Sequence, residues 1–181
     1  MKRSLLALAL VALPFTTFAA DGLKYTYVEG DYVDLDHGVK GPAVRGSYEF
    51  GNSGVYATGS HGWLDTDVDN VNLRAHELAV GYHHGLNAKL DVLGEVGYRK
   101  AEADGASAEG ARASVGVRGE LGKRGEAFAK ANYYDGADFR GDATASVGGQ
   151  FKFNQTWGLT AEVEAGNGDR TWQTGVRASF K

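Results

Sequence analysis

The sequence has no cysteine, two prolines and one methionine among its 181 residues. Without cysteine there is no disulfide framework and no thiolate-ligated metal. So little proline excludes a proline-rich stalk or linker. Beyond residues 5–13 no apolar run approaches the roughly 20 residues that a membrane-crossing helix needs. If the mature chain enters a membrane, it does not do so by helices. Basic charge is also short, 19 Lys and Arg against 23 Asp and Glu, which disfavours binding to nucleic-acid phosphates. No glycine-rich phosphate loop precedes a helix pattern. Glycine is instead abundant: 27 residues, about 15% against an average of roughly 7%, without the every-third-residue period of collagen. Nine Tyr, eight Phe and three Trp argue against a disordered chain. A mean hydropathy of −0.33 has the look of a soluble protein.

The first segment stands apart from the fold. Lys2 and Arg3 precede the apolar run 5–13, then Pro14 and the small-residue end Thr17-Phe18-Ala19-Ala20. A charged start, a short apolar stretch and small residues at the end make a secretory signal peptide. Residues 1–20 are therefore read as a signal peptide cleaved at or just after Ala19 or Ala20, and 21–181 as one domain. Losing Lys2 and Arg3 leaves 17 basic against 23 acidic residues, a formal charge of −6.

Along the mature chain one pattern repeats. Apolar and polar residues alternate near 23–36, 42–50, 54–63, 75–84, 88–99, 110–121, 126–135, 142–153, 157–166 and 170–180. That is the two-residue period of strands with unlike faces. In the fifth stretch Leu90, Val92, Gly94, Val96 and Tyr98 oppose Asp91, Glu95 and Arg99. A helical reading does worse, because each interior glycine weakens a helix by roughly 1 kcal/mol. The first stretch is the least regular, and a bulge between Tyr27 and Val28 is expected there. Connections alternate too. Segments 34–41, 62–74, 100–109, 135–141 and 166–170 read as long polar loops, and 51–54, 85–87, 122–125 and 154–157 as tight turns. Long loops at one end and short turns at the other mark an outer-membrane barrel. The fold expected is an all-β, antiparallel, up-and-down transmembrane β-barrel of ten strands, with eight as the alternative count.

Rings cluster near the strand ends at Tyr48, Phe50, Trp63, Tyr82, Tyr98, Tyr133, Phe151, Phe153 and Phe180, as in the interfacial girdles of membrane barrels. The opposite face carries Arg45, Glu49, Glu77, Asp91, Glu95, Arg99, Arg112, Arg118, Glu120, Glu126, Lys130, Lys152, Glu162, Glu164 and Arg177. Near-balanced charge of both signs in a narrow barrel reads as a hydrogen-bonded filling of the lumen rather than a selectivity filter, which favours one sign. Alternation alone does not say which face is inside. A narrow ion or solute channel and a soluble secreted β-barrel therefore stay open as alternatives.

At the C-terminus Gln173, Gly175 and Phe180, with apolar residues alternating between them, resemble the signal that outer-membrane barrels show to their insertion machinery; Lys181 follows the terminal ring. Directly after the signal peptide, Tyr25-Thr26-Tyr27-Val28-Glu29-Gly30-Asp31-Tyr32-Val33 resembles the opening of a small outer-membrane protein family. That family was once put forward as the activator of a plant immune receptor and as a diffusible quorum-sensing signal. The resemblance implies a small outer-membrane β-barrel, shed in vesicles in some settings, and brings no catalytic residues.

Reactive chemistry is sparse. His61 and His76 flank Asp65, Asp67 and Asp69 in what reads as the longest loop, a pattern open to metal capture or to a His base oriented by a carboxylate. The acidic run lacks the glycine and glutamate of a calcium loop, so a solvated acidic loop is the plainer reading. Ser60-His61 is a two-residue match to lipid-modifying hydrolases. His83 and His84 alternate faces, His83 toward the lumen. The reading is no enzyme, no cofactor and no metal. The partners expected are outer-membrane lipids and lipopolysaccharide, the insertion machinery and an unidentified extracellular contact, for a monomer.

Overall fold

The computed structural model describes residues 22–66, 72–103, 105–136 and 141–180, and here the alternating stretches become ten antiparallel strands. They are β1 (Tyr27–Leu35), β2 (Val39–Glu49), β3 (Val55–Asp65), β4 (Asn72–Asn87), β5 (Leu90–Ala103), β6 (Ala106–Leu121), β7 (Gly125–Asp135), β8 (Asp142–Lys152), β9 (Trp157–Gly166) and β10 (Asp169–Ser179). Each pairs with its neighbours in sequence, and β1 pairs with β10, from Tyr27 opposite Ser179 to Leu35 opposite Thr171. The sheet closes on itself, so no strand edge is left unpaired. Residues 1–20, read from the sequence as a signal peptide, lie outside the described residues.

Burial runs opposite to that of a soluble barrel. Leu78 is 69% exposed and Val96 65%, whereas Asp91 is 0% exposed and Glu29 3%. Apolar side chains thus cover the outer wall and charged ones the inner wall. Water outside this wall would face a continuous hydrocarbon belt, and lipid is the solvent that favours it. The soluble-barrel alternative is overturned by this inversion. Rings bracket the belt. Tyr48, Phe50, Phe151, Phe153, Trp157 and Phe180 stand exposed at the end of the tight turns, and Tyr32, Trp63, Tyr98, Tyr133 and Trp172 toward the other. Residues 22–26 and Phe180 lie at the turn end, where Phe180 N–H donates to Thr26 O at 2.8 Å.

The loop end differs from the sequence reading. Segment 100–109 is largely ladder, not a loop: Lys100 to Ala103 pair with Ala106 to Glu109, and Gly105 takes φ +82°, a conformation natural to glycine. Likewise 62–65 and 72–74 are ladder, with Asp65 opposite Asn72. β4, β5 and β6 therefore reach 16, 14 and 16 residues, longer than the roughly 9–11 that cross a bilayer. These three strands stand beyond the ring girdle. Two other loop-end links are short: a 3-10 turn at Asp36–Gly38 and a turn at 167–168. The irregular start has a cause other than a bulge. β1 alternates without a register shift, Tyr27, Glu29, Asp31 and Val33 inward and Val28 and Tyr32 outward. Residues 22–26 precede the strand and turn into the barrel.

Candidate functional site

Inward side chains meet in layers across the lumen, and the layer nearest the turn end includes residues 22–25, just before β1. Leu23, Tyr25 and Tyr56 form a buried apolar cluster in an otherwise polar interior. Tyr25 lies flat on the His83 ring, centroids 3.8 Å apart and planes 5° from parallel, with the Arg118 guanidinium 4.7 Å over its ring. Its hydroxyl donates to Asp91 Oδ2 at 3.0 Å. His83 is bracketed by carboxylates, Glu49 Oε1 at 3.0 Å from Nε2 and Asp91 Oδ2 at 3.1 Å from Nδ1. Arg118 Nη2 and Nε donate to Glu126 Oε2 at 2.5 and 3.1 Å. Lys152 pairs with Glu126 and donates to the Gly22 carbonyl at 3.1 Å. Glu120 abuts Gly22 so closely that a Cβ there would collide with its carboxylate. Lys24 Nζ reaches Gln155 O at 2.9 Å. Residues 22–25 are thereby strapped across the turn-end mouth.

Above this layer, ion pairs tie distant strands together. Arg177 donates to Glu29 Oε2 from Nε at 2.6 Å and Nη2 at 2.5 Å, and Thr160 Oγ1 donates to Glu29 Oε1 at 2.6 Å. Arg45, on β2, crosses the lumen to Glu162 on β9 at 3.2 Å and to Gln173 Oε1 at 2.5 Å. Arg112 bridges Glu77, at 2.6 and 2.9 Å, to Glu95, at 2.9 Å. Lys130 sits 3.5 Å from Glu95, which also accepts the Tyr56 hydroxyl at 2.8 Å. Glu164 accepts from Tyr134 at 2.8 Å, Thr144 at 2.7 Å and Ser146 at 3.2 Å. Charges desolvated in this way are costly unless paired, and pairs of this kind recur through the layers. Arg99 rests on the Tyr134 ring, 5.5 Å from its centroid.

The inner wall thus carries Arg45, Glu49, Glu77, Asp91, Glu95, Arg99, Arg112, Arg118, Glu120, Glu126, Lys130, Lys152, Glu162, Glu164 and Arg177. Sequence reasoning missed Tyr25, Glu29, Asp31, Tyr56, Asn132 and Tyr134, of which Tyr25 lies outside any strand. Glu29 is opposite Arg45 and Arg177 with Asp31 two residues on, Tyr56 is opposite Glu49, Tyr134 is opposite Arg112 and Asn132 is two residues from Lys130, and that spacing was the available signal. Of the C-terminal trio, Gln173 and Gly175 point inward and Phe180 is 48% exposed outside. A Cβ on Gly175 would strike the Asp31 carboxylate. Stretch 25–33, which carries the family resemblance, is built into the wall and the lumen filling.

Toward the loop end a cavity of about 180 Å³ opens, lined among others by Asp31, Arg45, Glu77, Arg99, Arg112 and Glu162. Tyr25, His83 and Arg118 are not among its lining residues. His61 and His76, read as loop residues, are instead on β3 and β4, directly opposite each other on the outer wall. Asp67 and Asp69 lie outside the described residues. Ser60 and His61 face opposite sides of one strand and form no catalytic pair. No group of three or more His, Cys, Asp or Glu poised for a metal occurs among the described residues.

No family model and no curated protein sequence matches the chain. Among solved structures it is similar to the KdgM porin, with a TM-score of 0.55 and 14% identity over 86% of this chain and 99% of that one. It is also similar to the NanC porin, with a TM-score of 0.58 and 12% identity over 86% and 99%. KdgM has also been solved in complex with disordered oligogalacturonate. These likenesses establish the fold, that of a porin-type outer-membrane β-barrel.

Proposed function

We propose that this is a bacterial outer-membrane barrel whose lumen is closed by its own mature N-terminus, and which acts at the cell surface through the strands that rise beyond the lipid. The observation that carries this reading is the seat of Tyr25, flat between His83 and Arg118 and bonded to Asp91. The turn end, with residues 22–26 and Phe180, faces the periplasm, and the β4–β6 extension faces the outside together with the cavity. Lipopolysaccharide surrounds that extension, and Phe180 is the side chain offered to the insertion machinery before the barrel closes. The role is structural or adhesive, not enzymatic. Planar-bilayer recording of the mature protein tests it: a silent membrane is expected, and steady ion-selective conductance overturns it.

A second reading is favoured by the cavity, which ends directly above the plug. In that reading the strap is a gate and the barrel a narrow channel when it is released. Recording the intact protein over a range of voltages distinguishes the two: it stays silent throughout in the first reading, and in the second it opens in discrete steps.

A further inference from the structure

We propose that His61 and His76 form a surface site for a divalent transition-metal ion of the Cu(II) and Ni(II) class, with Glu102 orienting His76 from behind. The two residues are partners in the β3–β4 ladder. Both lie on the outer wall, sharing parity with Trp63 and Leu78, which are 47% and 69% exposed. Their Nδ1 atoms face each other at 2.9 Å, and their ring centroids are 4.4 Å apart. On the far side of His76, Glu102 Oε2 lies 3.7 Å from Nε2. Glu102 is itself held by an ion pair with Lys100. That ion pair holds the Glu102 carboxylate in place beside His76. Trp63 packs edge-on against His61, 4.1 Å between centroids.

Two ring nitrogens bound at about 2.0–2.1 Å to one ion and at right angles to each other are about 2.9 Å apart. Tetrahedral coordination would need about 3.4 Å. The observed spacing matches neighbouring positions of a tetragonal site, the geometry of Cu(II) and Ni(II) with nitrogen and oxygen ligands. Water completes the shell. Glu102 has the place of the carboxylate that commonly supports a metal-bound imidazole through its other nitrogen, fixing tautomer and ring orientation. It favours the proton of neutral His76 on Nε2, which leaves Nδ1 as the acceptor and His61 Nδ1–H as the donor. When the ion enters, His61 carries its proton on Nε2 instead, both Nδ1 lone pairs bind the ion, and the neutral pair releases no proton. The ligands sit on a paired ladder, so little ordering is left for binding to supply.

The test uses tag-free mature protein in detergent micelles, above the imidazole titration range so that both rings are neutral. Cu(II), Ni(II), Zn(II) and Mg(II) are titrated while tryptophan fluorescence is followed, with calorimetry in parallel. Quenching by Cu(II) at one site is expected, Ni(II) and Zn(II) binding more weakly and Mg(II) not at all. His61→Ala and His76→Ala each abolish that phase, and Glu102→Gln weakens it about tenfold. Trp63→Phe keeps the calorimetric binding and loses most of the quench. All three polar positions are on the outer wall, and unchanged heat-modifiable gel migration shows that the variants fold. A Cu(II) titration that is the same in wild type, His61→Ala and His76→Ala overturns the proposal, as does Mg(II) binding of equal strength.

Discussion

Replacing Tyr25 by phenylalanine removes one hydroxyl and leaves the ring in its stack, so it isolates the bond to Asp91. A hydrogen bond to a charged group contributes about 1.5–3 kcal/mol. Asp91 is fully buried but keeps His83 at 3.1 Å, which places the expected loss at the lower end, near 1.5 kcal/mol. Tyr25→Ala also gives up the stack on His83, the Arg118 contact and the packing against Leu23 and Tyr56. Ring-to-alanine changes in packed interiors cost about 3–5 kcal/mol. Water from the turn end can enter the space here, so about 3 kcal/mol is expected. Urea unfolding of the barrel in lipid vesicles, read by tryptophan fluorescence, measures both. A double-mutant cycle of Tyr25→Phe with Asp91→Asn is expected to show coupling of about 1 kcal/mol. If Tyr25→Ala unfolds within about 0.5 kcal/mol of wild type, as ordinary surface substitutions do, residues 22–25 are not seated in the lumen. The closed-barrel reading then fails.

Arg177→Met is expected to destabilise by about 3–5 kcal/mol, because it leaves Glu29 buried without its cation; Arg177→Met with Glu29→Gln recovers most of that in the same urea titration. Gly175→Ala drives a Cβ into both the Asp31 carboxylate and the Gly30 backbone oxygen and lowers the folded fraction seen as heat-modifiable migration; adding Asp31→Ser recovers only part of it, because the backbone contact remains. Leu78→Arg on the lipid face is expected to cost about 2–4 kcal/mol, whereas Glu102→Arg, beyond the girdle, leaves the unfolding midpoint within the error of the titration; equal effects of the two would contradict the assigned membrane belt.

Strand positions were legible wherever the two faces of a strand meet different surroundings. Leu90 to Tyr98 against Asp91 to Arg99 is such a case, and there the fold shows the alternation residue by residue. Where both faces meet water the code falls silent although the strand continues. Lys100, Glu102 and Glu109 face outward beyond the girdle, Arg74 likewise, and without contrast between faces they read as loop. Alternation reports the boundary of the solvent, not the end of the ladder. The same reason hid the place of His61 and His76, which lie where the apolar belt gives way to polar residues. Tyr25 was illegible for a different reason: it belongs to no strand, and its partners Asp91, His83 and Arg118 are all far along the chain.

The lumen pairs explain why composition pointed to pairing but not to partners. Glu29 and Arg177 are 148 residues apart in sequence, and Arg45 and Glu162 are 117 apart, so no local spacing links them. They meet only when β1 closes on β10 with the correct register. Shifting one ladder by a single residue would turn its inward charges to the outer wall, at about 2–4 kcal/mol for each Arg or Lys brought to the membrane midplane. For β6 that displaces Arg112 and Arg118, and it also breaks their contacts with Glu77, Glu95 and Glu126. The charged filling therefore makes a misregistered barrel expensive as well as closing the correct one. A lumen lined by small apolar residues would fill the same space without penalising that slip.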